Sequence, residues 1–211
     1  MKSVLISIQP KWCEMIASGK KTIEVRKTRP KLETPFKVYI YCTRPKEWFR
    51  YSSFGRASNE SLWFANGKVE MCDGFKYWHD GGDYINLNGK VIGEFICDAI
   101  IPMSVSYSNP NHHLAFREYP YTGLTDKQIM DYLGNGKDGY GWHITDLVIY
   151  DKPKVLCDFE RPCKGIGEYE GETYCDCLNC DDAGDSDYGI IACDRTLKRP
   201  PQSWCYVEAQ L

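Results

Sequence analysis

Five polar residues fall within a seven-residue span near the start of the chain: Lys20, Lys21, Thr22, Glu24 and Arg26. Thr22, Glu24 and Arg26 alternate with Ile23 and Val25, so an extended backbone turns the two apolar side chains one way and the three polar ones the other. Such a row, fed by a lysine turn, suits a polyanion or a polar heterocycle. Its cations can meet phosphate or base edges, while a carboxylate between them reads a base or holds the cations in place. Two kinds of hydrolytic chemistry are also open. A lysine whose pKa is lowered by burial or by neighbouring cations serves as a general base, and a glutamate can take a proton from water directly. On that reading Lys21 and Glu24 are the catalytic candidates. The same charges equally suit a solvated edge strand, where Lys, Glu and Arg keep other chains from pairing.

A second group of chemically capable residues lies near the other end. Cys177 and Cys180 have two residues between them, and Cys163 and Cys193 flank them. One tight pair with a cysteine on either side is the knuckle spacing of a structural Zn site, with Cys175 as the alternative to Cys163. The surrounding stretch, 159–198, is acidic, glycine-rich and poor in apolar residues, so thiolate ligation of Zn would supply order that burial cannot. The competing reading is a set of reduced cysteines in an acidic loop.

The elements that must position the first group are legible from periodicity. Met1 to Ile8 alternates as a strand with Val4, Ile6 and Ile8 on one side. Pro10 opens a helix that Gly19 closes, and Trp12, Met15 and Ile16 form its core-facing stripe. Phe36 to Cys42 is a second alternating strand. Lys90 to Ile101 reads as one long strand, in which Gly93 marks a bulge or the close approach of another backbone. Glu94 within it is either outward-facing or a partner for Lys21 or Arg26. A second helix, Leu124 to Gly134, carries Thr125 as N-cap with Gln128 three residues on. A glycine-rich loop over 134–141 then delivers a strand from Trp142 to Tyr150. Between them, residues 46–89 hold many aromatics among glycines and charges. That composition predicts a packed insertion, with a hairpin over Leu62–Met71 turning at Asn66-Gly67.

The chain has 211 residues, of which 43% are hydrophobic, enough for one full core with a small appendage. Strands outnumber helices and alternate, so the fold class is mainly β with short helices (α+β), arranged as a small closed or half-closed barrel in a single domain over 1–211. The opening apolar run is too short for a signal peptide and nothing approaches a membrane span, which predicts a cytoplasmic protein with no membrane partner. Eleven cysteines, an odd number, do not suggest a disulfide scaffold. The net charge of −3 hides an asymmetry: residues 1–50 carry 12 Lys/Arg against 4 Asp/Glu, whereas residues 151–211 carry 7 against 13. The basic excess is concentrated around the Lys-Glu-Arg row.

With these pieces placed, the sequence resembles the ASCH domain family, which has a PUA-like β-barrel fold. The run Gly19, Lys21, Glu24 and Arg26 resembles its Gly-x-Lys-x-x-Glu-x-Arg signature, in the expected helix-to-strand context. The strand Val91–Phe95 and the segment Gly141-Trp142-His143-Ile144 extend the likeness. The closing segments 142–153 and 199–208 look like longer members carried by phages and prophages. Altogether the resemblance covers about residues 1–45 and 88–158 and the last strand. It implies a cleft lined by the Lys-Glu-Arg strand that binds RNA, a nucleotide or a modified nucleoside. Some small members remove the acetyl group from acetylated cytidine with a lysine, a threonine three residues later and a more distant glutamate. Here Lys21 is kept, Glu24 stands at the threonine position, and Thr22 is displaced along the same strand face by about 7 Å.

The leading expectation is therefore RNA or nucleotide binding by Lys20, Lys21, Thr22, Glu24 and Arg26, with Glu94, Trp142 and His143 as further walls of the cleft. The alternatives are an amidohydrolase acting on an acylated cytidine nucleoside, and a phage protein whose aromatic insertion and acidic cysteine loop dock a host protein.

Overall fold

Alternation of apolar residues in the first and third strands builds the centre of the fold. The computed structural model describes residues 2–44, 61–65, 67–71, 84–104, 120–134, 137–162, 166–169, 172–175 and 195–208. Strand β1 (Lys2–Ile8) lies beside β3 (Phe36–Cys42), paired in parallel with Val4 opposite Val38 and Ile6 opposite Ile40. Antiparallel neighbours extend the sheet on both sides: β7 (Val91–Cys97) and then β10 (Thr145–Lys154) beyond β3, and β13 (Trp204–Glu208) beyond β1. Val4, Ile6, Ile8, Val38, Ile40, Cys42 and Phe95 meet in the main core, as the period-two pattern requires.

The opposite face of this sheet is buried as well. Leu5, Tyr39, Val91 and Val207 pack there against Phe159 and Leu197. Those last two residues stand at the ends of the cysteine-rich stretch, where the sequence offered little apolar content. Leu197 donates its N–H to the carbonyl of Phe159, Arg161 donates to the carbonyl of Arg195, and Arg195 pairs with both Glu160 and Glu208. The stretch thus leaves and re-enters the fold through a narrow, ion-paired neck.

A second sheet of three strands orders β2 (Ile23–Arg26), β9 (Asp138–His143) and β8 (Ile100–Ser104). Its relation to the first corrects two sequence expectations. The long strand expected over 90–101 is broken at Asp98-Ala99, and the strand expected over 142–150 begins earlier, at Asp138, and is broken at Ile144. At both breaks the chain passes from one sheet to the other. The His143 N–H bonds the Ala99 carbonyl, and His143 Nδ1 lies 2.7 Å from Asp98, so the two corners are fastened together. Among the described residues the ladders form separate sheets and do not close into a barrel.

Helix α1 (Pro10–Ala17) starts with proline in its first turn and ends where Gly19 takes φ +72°, a conformation that favours glycine. Gly93 answers a different need: a Cβ there would lie 2.3 Å from the Val148 carbonyl oxygen of β10. Helix α2 (Asp126–Leu133) has the expected capping box, with Thr125 Oγ1 accepting from the Gln128 N–H and the Gln128 side chain accepting from the Thr125 N–H. Thr125→Ala should lower stability by about 1 kcal/mol, read by urea denaturation, and Thr125→Asp should restore most of it.

Part of the aromatic insertion is described. Strands β4 (Leu62–Ala65) and β5 (Lys68–Met71) form the expected hairpin, with Gly67 at φ +74° in its turn, and β6 (Ile85–Asn86) pairs with β4. Leu62 and Leu87 enter the main core. A further hairpin joins β11 (Ile166–Tyr169) to β12 (Glu172–Cys175). Among the described residues no helix is long and apolar enough to cross a membrane.

Candidate functional site

Strand β2 is the inner edge of the three-stranded sheet, and its polar face does not meet solvent. Lys21, Glu24 and Arg26 are 2%, 6% and 6% exposed, which turns the expected charged edge into a buried ionic cluster. Glu24 lies between the two cations, with Oε1 3.0 Å from Arg26 Nη2 and Oε2 3.2 Å from Lys21 Nζ. Lys21 also donates to the carbonyls of Ile23 (2.8 Å) and Thr122 (2.6 Å). Two of the three ammonium protons are thus bonded to backbone carbonyls, and the third lies beside Glu24 without hydrogen-bond alignment. Arg26 Nη2 donates in addition to the Ser7 carbonyl at the end of β1.

Burial lowers the Lys21 pKa from its ordinary value; the adjacent Glu24 opposes this and Arg26 reinforces it. A lysine with a depressed folded pKa binds fewer protons than the unfolded chain between that pKa and about 10.4, so stability rises with pH across that window. Lys21→Met should remove this rise, which pH-dependent chemical denaturation of the two proteins would register as a difference in slope on the alkaline side.

Above the cluster opens a cleft of about 810 Å³. Its floor is Lys21, Glu24 and Arg26. One wall comes from the β1–α1 junction, with Ser7, Gln9 and Trp12. Gln128, Asp131 and Tyr132 of α2 form the opposite wall, and Pro200, Pro201 and Gln202 close it from the C-terminal side. The last segment is held by Ser7, whose hydroxyl donates to the Pro201 carbonyl and whose N–H donates to the Ser203 carbonyl. Glu24 Oε2 and Arg26 Nε are buried with no hydrogen-bond partner in the protein; the contact of Oε2 with Lys21 is an ion pair without hydrogen-bond alignment. A buried polar atom left in that state costs about 1–3 kcal/mol.

The other residues expected at the site are placed elsewhere. Lys20 is exposed in the turn, and Thr22 is tied by its backbone to Tyr121 and Ile144; neither lines the cleft. Glu94 pairs with Lys37 at 2.8 Å and accepts from Tyr150, not with Lys21 or Arg26. Burial pushes the Glu94 carboxyl up, but the Lys37 and Tyr150 hydrogen bonds outweigh this and leave its pKa below the ordinary value, while Tyr150 is raised by burial and by Glu94. Trp142 is fully buried, its ring centroid 5.9 Å from Phe36 and 6.0 Å from Trp204, and His143 fastens the sheet corner with Asp98. Cys163, Cys177, Cys180 and Cys193 lie outside the described residues, and among the described ones no group of His, Cys, Asp and Glu is placed to hold a metal.

Trp12 was assigned to the core by its helical spacing; it packs on the core and also faces the cleft. Gln128, Asp131 and Tyr132 were missed, although spacing of three and four residues sets them on one face of α2 opposite its buried Ile129 and Leu133. The C-terminal wall had no signal of its own, because its place depends on the pairing of β13 with β1.

No family model and no curated protein matches the chain. Solved structures similar to it include ASCH from Zymomonas mobilis, 20% identical with a TM-score of 0.45, the match covering 73% of this chain and 73% of that one. Two mutants of the same protein match alike, each 20% identical with a TM-score of 0.45, covering 74% of this chain and 77% of theirs in one case and 73% and 74% in the other.

Proposed function

We propose that the cleft over Lys21, Glu24 and Arg26 binds a nucleobase-bearing ligand, either an RNA segment, a nucleotide or a modified nucleoside, and recognises it without turnover. The observation that carries this reading is the floor of the cleft, where the Glu24 carboxylate lies between Lys21 and Arg26. A carboxylate beside a guanidinium is an acceptor and a donor together, the complement of a base edge. A cleft of about 810 Å³ has the size of small-ligand sites and exceeds what a single base fills. The likeness of Gly19, Lys21, Glu24 and Arg26 to the ASCH signature supports the same ligand class.

In this reading Arg26 and Glu24 contact the ligand, and Lys21 holds Glu24 and the Thr122 carbonyl in place. Titration of the protein with nucleosides, nucleotides and short single-stranded RNA tests it. Arg26→Lys keeps the charge but loses the planar fork, and should weaken binding about tenfold. The double variant Lys21→Ala, Arg26→Ala should weaken it further and flatten its salt dependence. Unchanged binding by a double variant whose circular dichroism shows a folded protein rules the reading out.

The amidohydrolase alternative draws on the lowered pKa of Lys21. It expects acetate release from acetylated cytidine that disappears in Lys21→Ala. Against it stand the two Lys21 hydrogen bonds to backbone carbonyls, its ion pair with Glu24 and the position of Thr22 outside the cleft. A structural Zn at Cys163, Cys177, Cys180 and Cys193 is a separate proposal, tested by metal analysis of the purified chain before and after chelation.

A further inference from the structure

Two thiols from different elements meet at one backbone carbonyl. Helix α1 starts directly after β1, and its first turn folds back so that the Cys13 N–H bonds the Gln9 carbonyl and the Cys13 thiol reaches the Ile8 carbonyl at 3.6 Å. Ile8 stands opposite Cys42 in the parallel ladder of β1 and β3, and its carbonyl also accepts the Thr43 N–H at 2.8 Å. Cys13 and Cys42 therefore lie in hydrogen-bond contact at the end of that ladder, both almost wholly removed from solvent. Their other acceptors hold them weakly, since the Cys42 sulfur is 3.9 Å from both the Thr43 carbonyl and Asn88 Oδ1. Cys97, in the same core, bonds the Ala99 carbonyl instead, at 3.4 Å.

A single buried cysteine is ordinary core material. What exceeds core filling is the meeting of two sulfurs directly behind a cleft wall, for Trp12 and Thr43 adjoin the two cysteines in sequence and line the cleft together with Ile8 and Gln9. We propose that Cys13 and Cys42 are a redox modification site, closing to an intramolecular disulfide when hydrogen peroxide enters the cleft and reaches them through a local opening of the first turn of α1. One sulfur attacks a peroxide oxygen, the O–O bond breaks, and a sulfenic acid and one water result. The second sulfur then attacks the first, the S–O bond breaks, and the hydroxyl leaves with the remaining thiol proton as a second water. In sum two thiols give up two electrons and two protons, and the peroxide becomes two waters. Burial, the Cys42 thiol and Glu24 hold the Cys13 thiol well above its ordinary pKa, with Arg26 opposing them. The thiolate is the reactive form, so closure is slow at neutral pH and quickens as pH rises. The bond ties α1 to β3 and closes the chain from 13 to 42, a loop that contains Lys21, Glu24 and Arg26. It does not depend on which ligand the cleft takes.

The test exposes the folded full chain to hydrogen peroxide, then denatures and alkylates it and maps its tryptic peptides by mass without reduction. Trypsin leaves Cys13 as the only cysteine of peptide 12–20 and Cys42 as the only cysteine of peptide 38–46. At about pH 9, with a dose that fully oxidises the exposed Cys157, the two peptides should appear joined, two hydrogens lighter than their sum. Dithiothreitol should part them again. The joined form should accumulate about tenfold faster there than at pH 7. Thermal unfolding of the oxidised chain should move up by about 5–10 °C, because the cross-link restricts the unfolded state. Cys13→Ala should abolish both the joined peptide and its share of the shift.

Recovery of both peptides alkylated while Cys157 is oxidised would overturn the proposal. So would a sulfinic acid on either cysteine without the joined pair, or a bond from Cys13 or Cys42 to any other cysteine. These outcomes are read on the native chain, so they decide the matter even if Cys13→Ala folds poorly.

Discussion

Replacing Glu24 with alanine should lower the free energy of unfolding by about 3–5 kcal/mol, the largest effect expected of any side chain in the cleft. The carboxylate adds little through its own burial; its value is what it does for two neighbours. Lys21 and Arg26 are both almost wholly removed from water, and Glu24 is their shared counter-charge. Without it two like charges remain together at low dielectric, and each loses an acceptor. Glu24→Gln keeps a side-chain oxygen for one of them and should cost about half as much. Urea denaturation at neutral pH compares the three proteins. The loss in Glu24→Ala should also shrink as pH rises, because Lys21, with its pKa already lowered by burial, then sheds its proton. A loss below about 1 kcal/mol would mean that water reaches the cluster freely and that its burial is not what defines it.

The second large effect is expected at Gly93. An alanine Cβ would stand 2.3 Å from the Val148 carbonyl oxygen and 3.1 Å from Ile149 Cδ1. The first contact is with backbone, so no side-chain rotation relieves it, and β10 must move away from β7. Gly93→Ala should therefore cost about 3 kcal/mol, at the upper end for overpacking by a single methyl group. Gly19→Ala is the informative comparison. Nothing lies within 4 Å of the added Cβ there, and the cost is only the left-handed backbone, about 1 kcal/mol. Thermal unfolding of the two variants should separate a collision from a conformational preference. Equal shifts would show that β10 yields easily at Val148.

What could be read in the sequence was what depends on neighbours along the chain. Helix α1, β1, β3, the capping box of α2 and the hairpin at Gly67 follow from period, cap and turn chemistry alone. The close approach at Gly93 was also legible, because glycine in an apolar strand has few other uses. The ionic triplet was found, but its burial was not. Alternation places Glu24 and Arg26 on a common face and is silent about what covers that face. The cover comes from α2 and from residues 200–202, which reach β2 only through long-range pairing. Glu94 and Trp142 were misplaced for the same reason. Glu94 sits where β7 passes Lys37 of β3, and Trp142 lies opposite Glu24 in the ladder with its ring turned to the core. The breaks at Asp98-Ala99 and Ile144 had no composition signal, since the corner is made by one strand crossing to another sheet.

The neck formed by Glu160, Arg161, Arg195 and Thr196 makes the intervening stretch a cassette. Its two ends are already brought together by backbone bonds, so the entropy of closing the loop is met once and grows only slowly with the number of residues inserted. Mutation can lengthen, shorten or exchange the contents while Phe159 and Leu197 remain in their core and β13 keeps its register on β1. Replacing residues 163–194 with a short Gly-Ser linker should leave the stability of the remaining fold within about 1 kcal/mol of the parent and keep the Pro200–Gln202 wall in place. A chain organised in this way can exchange the contents of that stretch without disturbing the cleft over β2.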